Sequence, residues 1–476
     1  MAKRRVANKN LVAVLTVVGM SLAVGVVALA TMKAARRDPQ VYAVRAAEAE
    51  KAGEFRRAAE LYGRAFAVKR ETKYSIDAAR CLMNLGEISS AIGVLLQAHT
   101  QDPTDVPLLE ALLAQAWQLR AYDMATILRD YSTKLLEIDP NNVLALVCRW
   151  EGLGDLSALD PNHARMAEEA LDRAIELRPE DPRVALCAAS RTLRDYQKLK
   201  GNRNPDYTDP DLEARLAQLR DKAIGQLRGA WESDPGHQEL ASEFARLLQI
   251  LDREEEARLV LERAVAANPT EASLHYRLAA ALLNLAERER RRGATPPAGS
   301  EEVAGGGEGT STQSDTVRTL LEKAAWHAQE ALRLEPAVYG AWGVLAEIEV
   351  FDRPRGQLSE QDAQRYEKAL SLMREALEKT VGLRSLRARL AENTGERLLA
   401  VMSPAFEMAR DYFRRAGDAK QRESALAHMQ YFVDQAVTEE PTFFITALLE
   451  GEMHFVKGDL RAAIQAYENA ERKTQE

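Results

Sequence analysis

Residues that break helices are scarce in this chain. Its 476 residues include only 26 glycines and 17 prolines, which gather in a few places, and aromatics make up 6%. β-Branched residues concentrate in the first thirty positions, so the remainder reads as helix rather than sheet. There are three cysteines, Cys81, Cys148 and Cys187, far apart and never in a CxxC pair. Such a set excludes a disulfide framework and a zinc site, and suits small buried hydrophobes. No tail or face stands out as a nucleic-acid footprint: 64 basic side chains are interspersed with 72 acidic ones for a net charge of -8. That pattern argues against nucleic acid as a partner.

Signatures of chemistry are equally scarce. Gly305-Gly306-Gly307 is not followed by Gly-Lys-Ser/Thr and reads as solvated linker, not a phosphate loop. The seven histidines form neither HExxH nor a local Ser-His-Asp signature, and His275 and His327 read as surface or packing residues on helices. Arg288 to Arg292 read as a helix end that complements the helix dipole. No catalytic residue, metal or cofactor is expected.

What is present is first a run from Leu11 to Met32 without a single charge. At helical rise it spans roughly 33 Å, enough to cross a bilayer core. Lys3, Arg4, Arg5 and Lys9 precede it, and Lys33, Arg36 and Arg37 follow. The run therefore reads as a signal-anchor, with a basic tail at residues 1–10 kept inside and the bulk of the chain on the exoplasmic side, the periplasm in a bacterium. The competing expectation is a cleaved signal peptide, with Ala28-Leu29-Ala30 as its small-x-small site. Small residues at Gly19/Ala23 and Ser21/Gly25 leave room for a homodimer through this helix.

The second feature organises residues 33–476. An alanine is followed four residues later by a bulky apolar residue, three later by another alanine and five later by proline. It occurs as Ala91-Leu95-Ala98-Pro103, Ala167-Leu171-Ala174-Pro179, Ala223-Leu227-Ala230-Pro235, Ala257-Leu261-Ala264-Pro269 and Ala324-Ala328-Ala331-Pro336. Chance would give about half of one Ala-x6-Ala-x4-Pro. Copies without the proline are Ala58-Tyr62-Ala65, Ala369-Met373-Ala376 and Ala463-Tyr467-Ala470, and a partial copy ends in Ala436 and Pro441. Alanines seven apart lie two turns along one helix face, where a neighbouring helix can approach closely. The proline ends the helix and sets the turn.

Upstream of each alanine pair runs another helical pattern, often joined through glycine, as at Gly53, Gly86 and Gly458. In these residues the chain resembles the tetratricopeptide repeat family. Gly53, Phe55, Ala58, Tyr62 and Ala65 match its second-helix consensus, as do Gly458, Leu460, Ala463, Tyr467 and Ala470. Trp342 and Ala346 match first-helix positions, and Pro235 to Pro269 is the family's 34-residue period. The resemblance implies an all-α helical-hairpin superhelix, an α-solenoid, of nine or ten repeats over residues 39–475. Excess spacing puts flexible insertions near 199–211 and 293–315, and the register stays open at 105–139 and 381–436.

In that family the first helices line a concave face that grips peptides or proteins. The residues this register places there are Arg80, Asn84, Arg246, Gln249, Tyr276, Asn284, Glu347 and Glu452. Ile76, Gly343 and Glu347 do not fit the subclass that clamps a C-terminal carboxylate. The resemblance implies a membrane-anchored, non-catalytic scaffold or adaptor. The alternatives are a periplasmic chaperone-like or enzyme-regulatory subunit and, with less support, a carbohydrate-binding or enzymatic helical-repeat protein.

Overall fold

The computed structural model describes residues 38–85, 87–119, 124–154, 160–201, 209–294, 309–352, 356–380 and 398–475. The proposed anchor at 11–32 lies outside them. Among the described residues there is no strand, and no helix is long and apolar enough to cross a membrane.

The chain forms two compact units that meet in sequence at Leu177 and Arg178. The first contains α1 (Pro39–Lys51), α2 (Phe55–Val68), α3 (Thr72–Asn84), α4 (Ile88–His99), α5 (Val106–Gln118), α6 (Ala125–Ile138), α7 (Val143–Gly154) and α8 (Pro161–Leu177). The second contains α9 (Pro182–Gly201), α10 (Pro210–Ser233), α11 (Gln238–Ile250), α12 (Glu254–Ala267), α13 (Ala272–Ala294) and α14 (Gly309–Leu334). It continues through α15 (Tyr339–Glu349), α16 (Glu360–Lys379), a π-helical turn (Leu398–Met402), α17 (Ser403–Arg415), α18 (Ala419–Glu439), α19 (Phe444–Val456) and α20 (Leu460–Gln475). Consecutive odd and even helices pair as antiparallel hairpins, four in the first unit and six in the second among the described residues.

The alanine skeleton is the packing surface of the even helices. In all eight alanine-pair copies both end alanines are at most 3% exposed. The hairpin turns are set just upstream. Gly53 and Gly458 have φ of 77° and 81°, and Asp252 takes the equivalent place at φ 58°. A left-handed residue there lets the chain reverse, which glycine does without a steric penalty.

Stacking leaves a second signature in polar contacts about one repeat apart. The Arg80 guanidinium donates to Glu50 (3.1 Å), Thr72 to Asp105 (2.6 Å), Asn142 to Glu110 (2.7 Å), Gln238 to Ser273 (2.7 Å), and Asn268 to the Gly236 carbonyl (2.7 Å). These pairs are 30 to 35 residues apart. Equivalent places on successive hairpins therefore face each other.

Two expectations need correction. The insertion placed at 199–211 is helical at both ends, because α9 runs to Gly201 and α10 begins at Pro210, where Asp209 caps its first turn. The insertion placed at 293–315 is likewise helical through Ala294 and again from Gly309. In both hairpins part of the surplus length makes longer helices, of 20, 24, 23 and 26 residues against 13 and 14 in α11 and α12. What remains, 202–208 and 295–308, lies outside the described residues.

The stretch 105–139 keeps the register with the sizes reversed. On α6 the skeleton positions are Leu128, Ser132 and Leu135, all buried, with Pro140 in the proline place. The small residue has moved to the neighbouring helix. A Cβ on Gly152 of α7 would stand 2.6 Å from the Arg129 amide nitrogen and 3.0 Å from the Leu128 Cβ. On α18 the equivalent positions are Met429, Val433 and Ala436, again all buried. Residues 381–397 lie outside the described residues.

Candidate binding surfaces

All eight residues proposed for the groove lie on first helices. Arg80 and Asn84 are on α3 in the first unit. In the second, Arg246 and Gln249 are on α11, Tyr276 and Asn284 on α13, Glu347 on α15 and Glu452 on α19. First helices of successive hairpins lie against one another: α3 on α5, α5 on α7, α11 on α13, α13 on α15 and α17 on α19. The first-helix row is thus continuous over these stretches, and Asn84, Arg246 and Asn284 are exposed on it.

Several of the eight are occupied in part by the array itself. Arg80 pairs with Glu50 and Asp77, and Arg246 with Glu243 (2.7 Å). The Tyr276 ring lies across Gly340 on the next first helix, where a Cβ would collide with it. Glu452 accepts hydrogen bonds from Arg410 (2.7 Å) and the Tyr467 hydroxyl (3.0 Å), tying α17, α19 and α20 together. Tyr276 and Glu452 therefore act first as packing and clamp residues.

Successive second helices behave differently. Among the described residues they make no comparable contact with one another, and cavities open between them. One of about 520 Å³ is walled by Ala59, Gly63, Phe66 and Ala67 of α2 and by Val94 and Gln97 of α4, over Ser75, Ala78 and Leu82 of α3. Another of about 440 Å³ lies between α6 and α8 over α7. A third of about 420 Å³ lies instead between the second helix α18 and the following first helix α19. None of the eight proposed residues lines these three cavities. Small residues on α2 at a helical spacing were a readable signal for the first.

Two polar clusters were not foreseen. Glu367 on α16 accepts from Ser424 (2.5 Å) and from His428 Nε2 (2.8 Å), both on α18. Burial alone would raise the Glu367 pKa, but these hydrogen bonds outweigh it and hold the carboxyl below its usual range. Burial pushes His428 down, and the Glu367 carboxylate offsets part of that. Ser424 and His428 donate to the same carboxylate instead of to each other, so they form no serine–histidine pair. The cluster ties two helices together.

The second joins His275 of α13 to His327 of α14, Nδ1 to Nδ1 at 3.0 Å, with Trp326 packed against both rings. His275 Nε2 lies 3.1 Å from the Pro269 carbonyl, which only accepts. The proton therefore sits on His275 Nε2, and His327 Nδ1–H donates to His275 Nδ1. Burial, then the neighbouring His275, lowers the His327 pKa to about 4. Unfolded, the imidazole titrates near about 6.5. Between these values the folded state binds fewer protons, so stability is full above the upper value and falls as the pH drops toward the lower one. Thermal unfolding across that window should show the His327→Gln chain losing less stability than the parent.

The three cysteines are buried and in no disulfide, and burial pushes the Cys81 thiol up to about 11. The basic end of α13 is absorbed locally: Arg288 pairs with Glu254 and donates to the Asp252 carbonyl, and Arg290 lies over the Phe351 ring. Among the described residues no group of three His, Cys, Asp or Glu side chains is placed to hold a metal ion.

The sequence matches no described protein family and no curated protein. Similar solved structures include the human IFIT1 dimer with m7Gppp-AAAA, at 13% identity over 92% of this chain and 91% of that one, TM-score 0.39. Yeast Tom70 matches at 13% identity over 91% of each chain, TM-score 0.32. A thermophilic TPR protein of Thermus thermophilus matches at 21% over 45% of this chain and all of that one, TM-score 0.34. At these scores the likenesses carry no argument, and the fold rests on the helix pairing described above.

Proposed function

We propose that this chain is a non-catalytic scaffold of the tetratricopeptide type, held at a membrane by residues 11–32, that binds other proteins along its first-helix row. The observation that supports this most is the row itself: touching helices that expose Arg246 and Asn284 in one unit while their other faces build the core. Such a surface offers many separate polar contacts to an extended partner and no focus for bond making. The anchor rests on the uncharged run at 11–32 with its basic flanks. The RNA in the IFIT1 structure is that protein's ligand, and the mixed charge of this chain gives no footprint for one.

Cross-linking in detergent-solubilised membranes followed by capture of the full chain tests this reading. A defined protein partner is expected with the parent chain and is expected to be lost with Gln249→Arg plus Asn284→Arg. An unchanged partner set would move recognition off this row. The captured chain is also expected in the membrane fraction after alkaline washing, with its first residues intact. A mature chain beginning at Thr31 would end the anchor reading.

A further inference from the structure

The cavity between α6 and α8 differs from the other two in charge. It is lined by Arg129, Lys134, Arg149 and His163 against a single carboxylate, Asp130. This excess is local, because the whole chain carries a net charge of -8. Asp130 is already engaged by Arg129 at 2.8 Å. The Lys134 ammonium has no carboxylate among the described residues: it donates to His99 Nε2 at 3.1 Å and lies 4.4 Å from the centre of the Tyr131 ring. His99 can accept there because burial and Lys134 itself keep it neutral. Among the described residues Arg149 meets no carboxylate either. Two cations thus face one half-enclosed space, where their repulsion is less screened than in open water.

We infer that this cavity receives a carboxylate-bearing segment of an acidic protein partner. The inference rests on the scaffold reading, but uses a surface walled by second helices instead of the first-helix row. Bidentate geometry suits Arg149 to a carboxylate, with Lys134 as a second point charge. Tyr131, Leu153 and Met166 supply apolar wall for the stems of acidic side chains. A continuous polyanion fits less well. Asp130 lies in the lining, and Asp160 stands 3.8 Å from the lining residue His163, so a run of phosphates would meet acid at the edge of the cavity.

The test is fluorescence anisotropy of a short fluorescein-labelled poly-glutamate peptide with the solubilised full chain. Saturable binding that weakens with salt is expected, reduced about tenfold or more in Arg149→Gln with Lys134→Gln. Circular dichroism of that variant should match the parent, and Arg149→Lys should recover part of the affinity. Absent binding at low salt, binding indifferent to both substitutions, or tighter binding of a single-stranded RNA would each overturn the inference. Capture of cross-linked partners separates the two proposals. If the variant loses the peptide but keeps every partner, this site serves none of them and the inference falls while the scaffold stands. If the parent captures no partner, the scaffold reading falls.

Discussion

Gly152→Ala is expected to destabilise the first unit by about 2 kcal/mol or more, although alanine favours a helix over glycine. The new Cβ would stand 2.6 Å from the Arg129 amide nitrogen and 2.9 Å from the Ala125 carbonyl oxygen. Both are backbone atoms of α6, so no rotamer change can relieve them. The helices must part, and the buried Leu128 and Leu135 lose their fit against α7. Gly340→Ala is the control. There the three atoms nearest the Cβ all belong to the Tyr276 side chain, which is half-buried and can swing aside. Its cost should stay below about 1 kcal/mol, because relief of the ring is offset by better helix propensity. Urea unfolding of the two variants decides the matter. Equal effects would mean that α6 and α7 do not approach as closely as the reversed sizes on α6 require.

Ala264→Leu should cost about 1–3 kcal/mol, while Arg246→Ala should stay within roughly 0.5 kcal/mol of the parent. Ala264 on α12 is fully buried, in a core it shares with Leu248, Leu261, Leu274 and Leu278. Three added carbons have no space there without strained rotamers or a wider crossing. Arg246 on α11 is half exposed, and its ion pair is with Glu243 one turn away, which at a surface contributes little. Thermal unfolding of the full chain compares them. A silent Ala264→Leu beside a destabilising Arg246→Ala would mean that the helix faces have been exchanged, and the proposed recognition row would fall with them.

The repeat was legible because its cause is local. Ala-x6-Ala is dictated by helical periodicity and by the closeness of one neighbouring helix, and both leave their mark within a dozen residues. The reversed copy at Leu128, Ser132 and Leu135 was not legible, because its compensation sits on another helix at Gly152. The insertions were read too long. Gly, Ser and Thr near 309–315 discourage a helix on propensity alone, yet these residues extend α14 in a hairpin whose first helix is also lengthened.

The placement of all eight proposed groove residues on first helices followed from the same register, but their individual roles did not. Tyr276 depends on Gly340 and Glu452 on Arg410, partners 64 and 42 residues away in sequence, so nothing near either residue announces the contact. The same holds for Glu367 with His428 and for His275 with His327, separated by 61 and 52 residues. By itself the sequence determined the helices, their pairing, the buried alanine faces and the uncharged run at its start, since these depend on composition and short periodicity. Only the tertiary structure decided which polar side chains the array consumes. It alone also placed cavities between second helices, because those gaps arise where first helices close on one another and second helices do not.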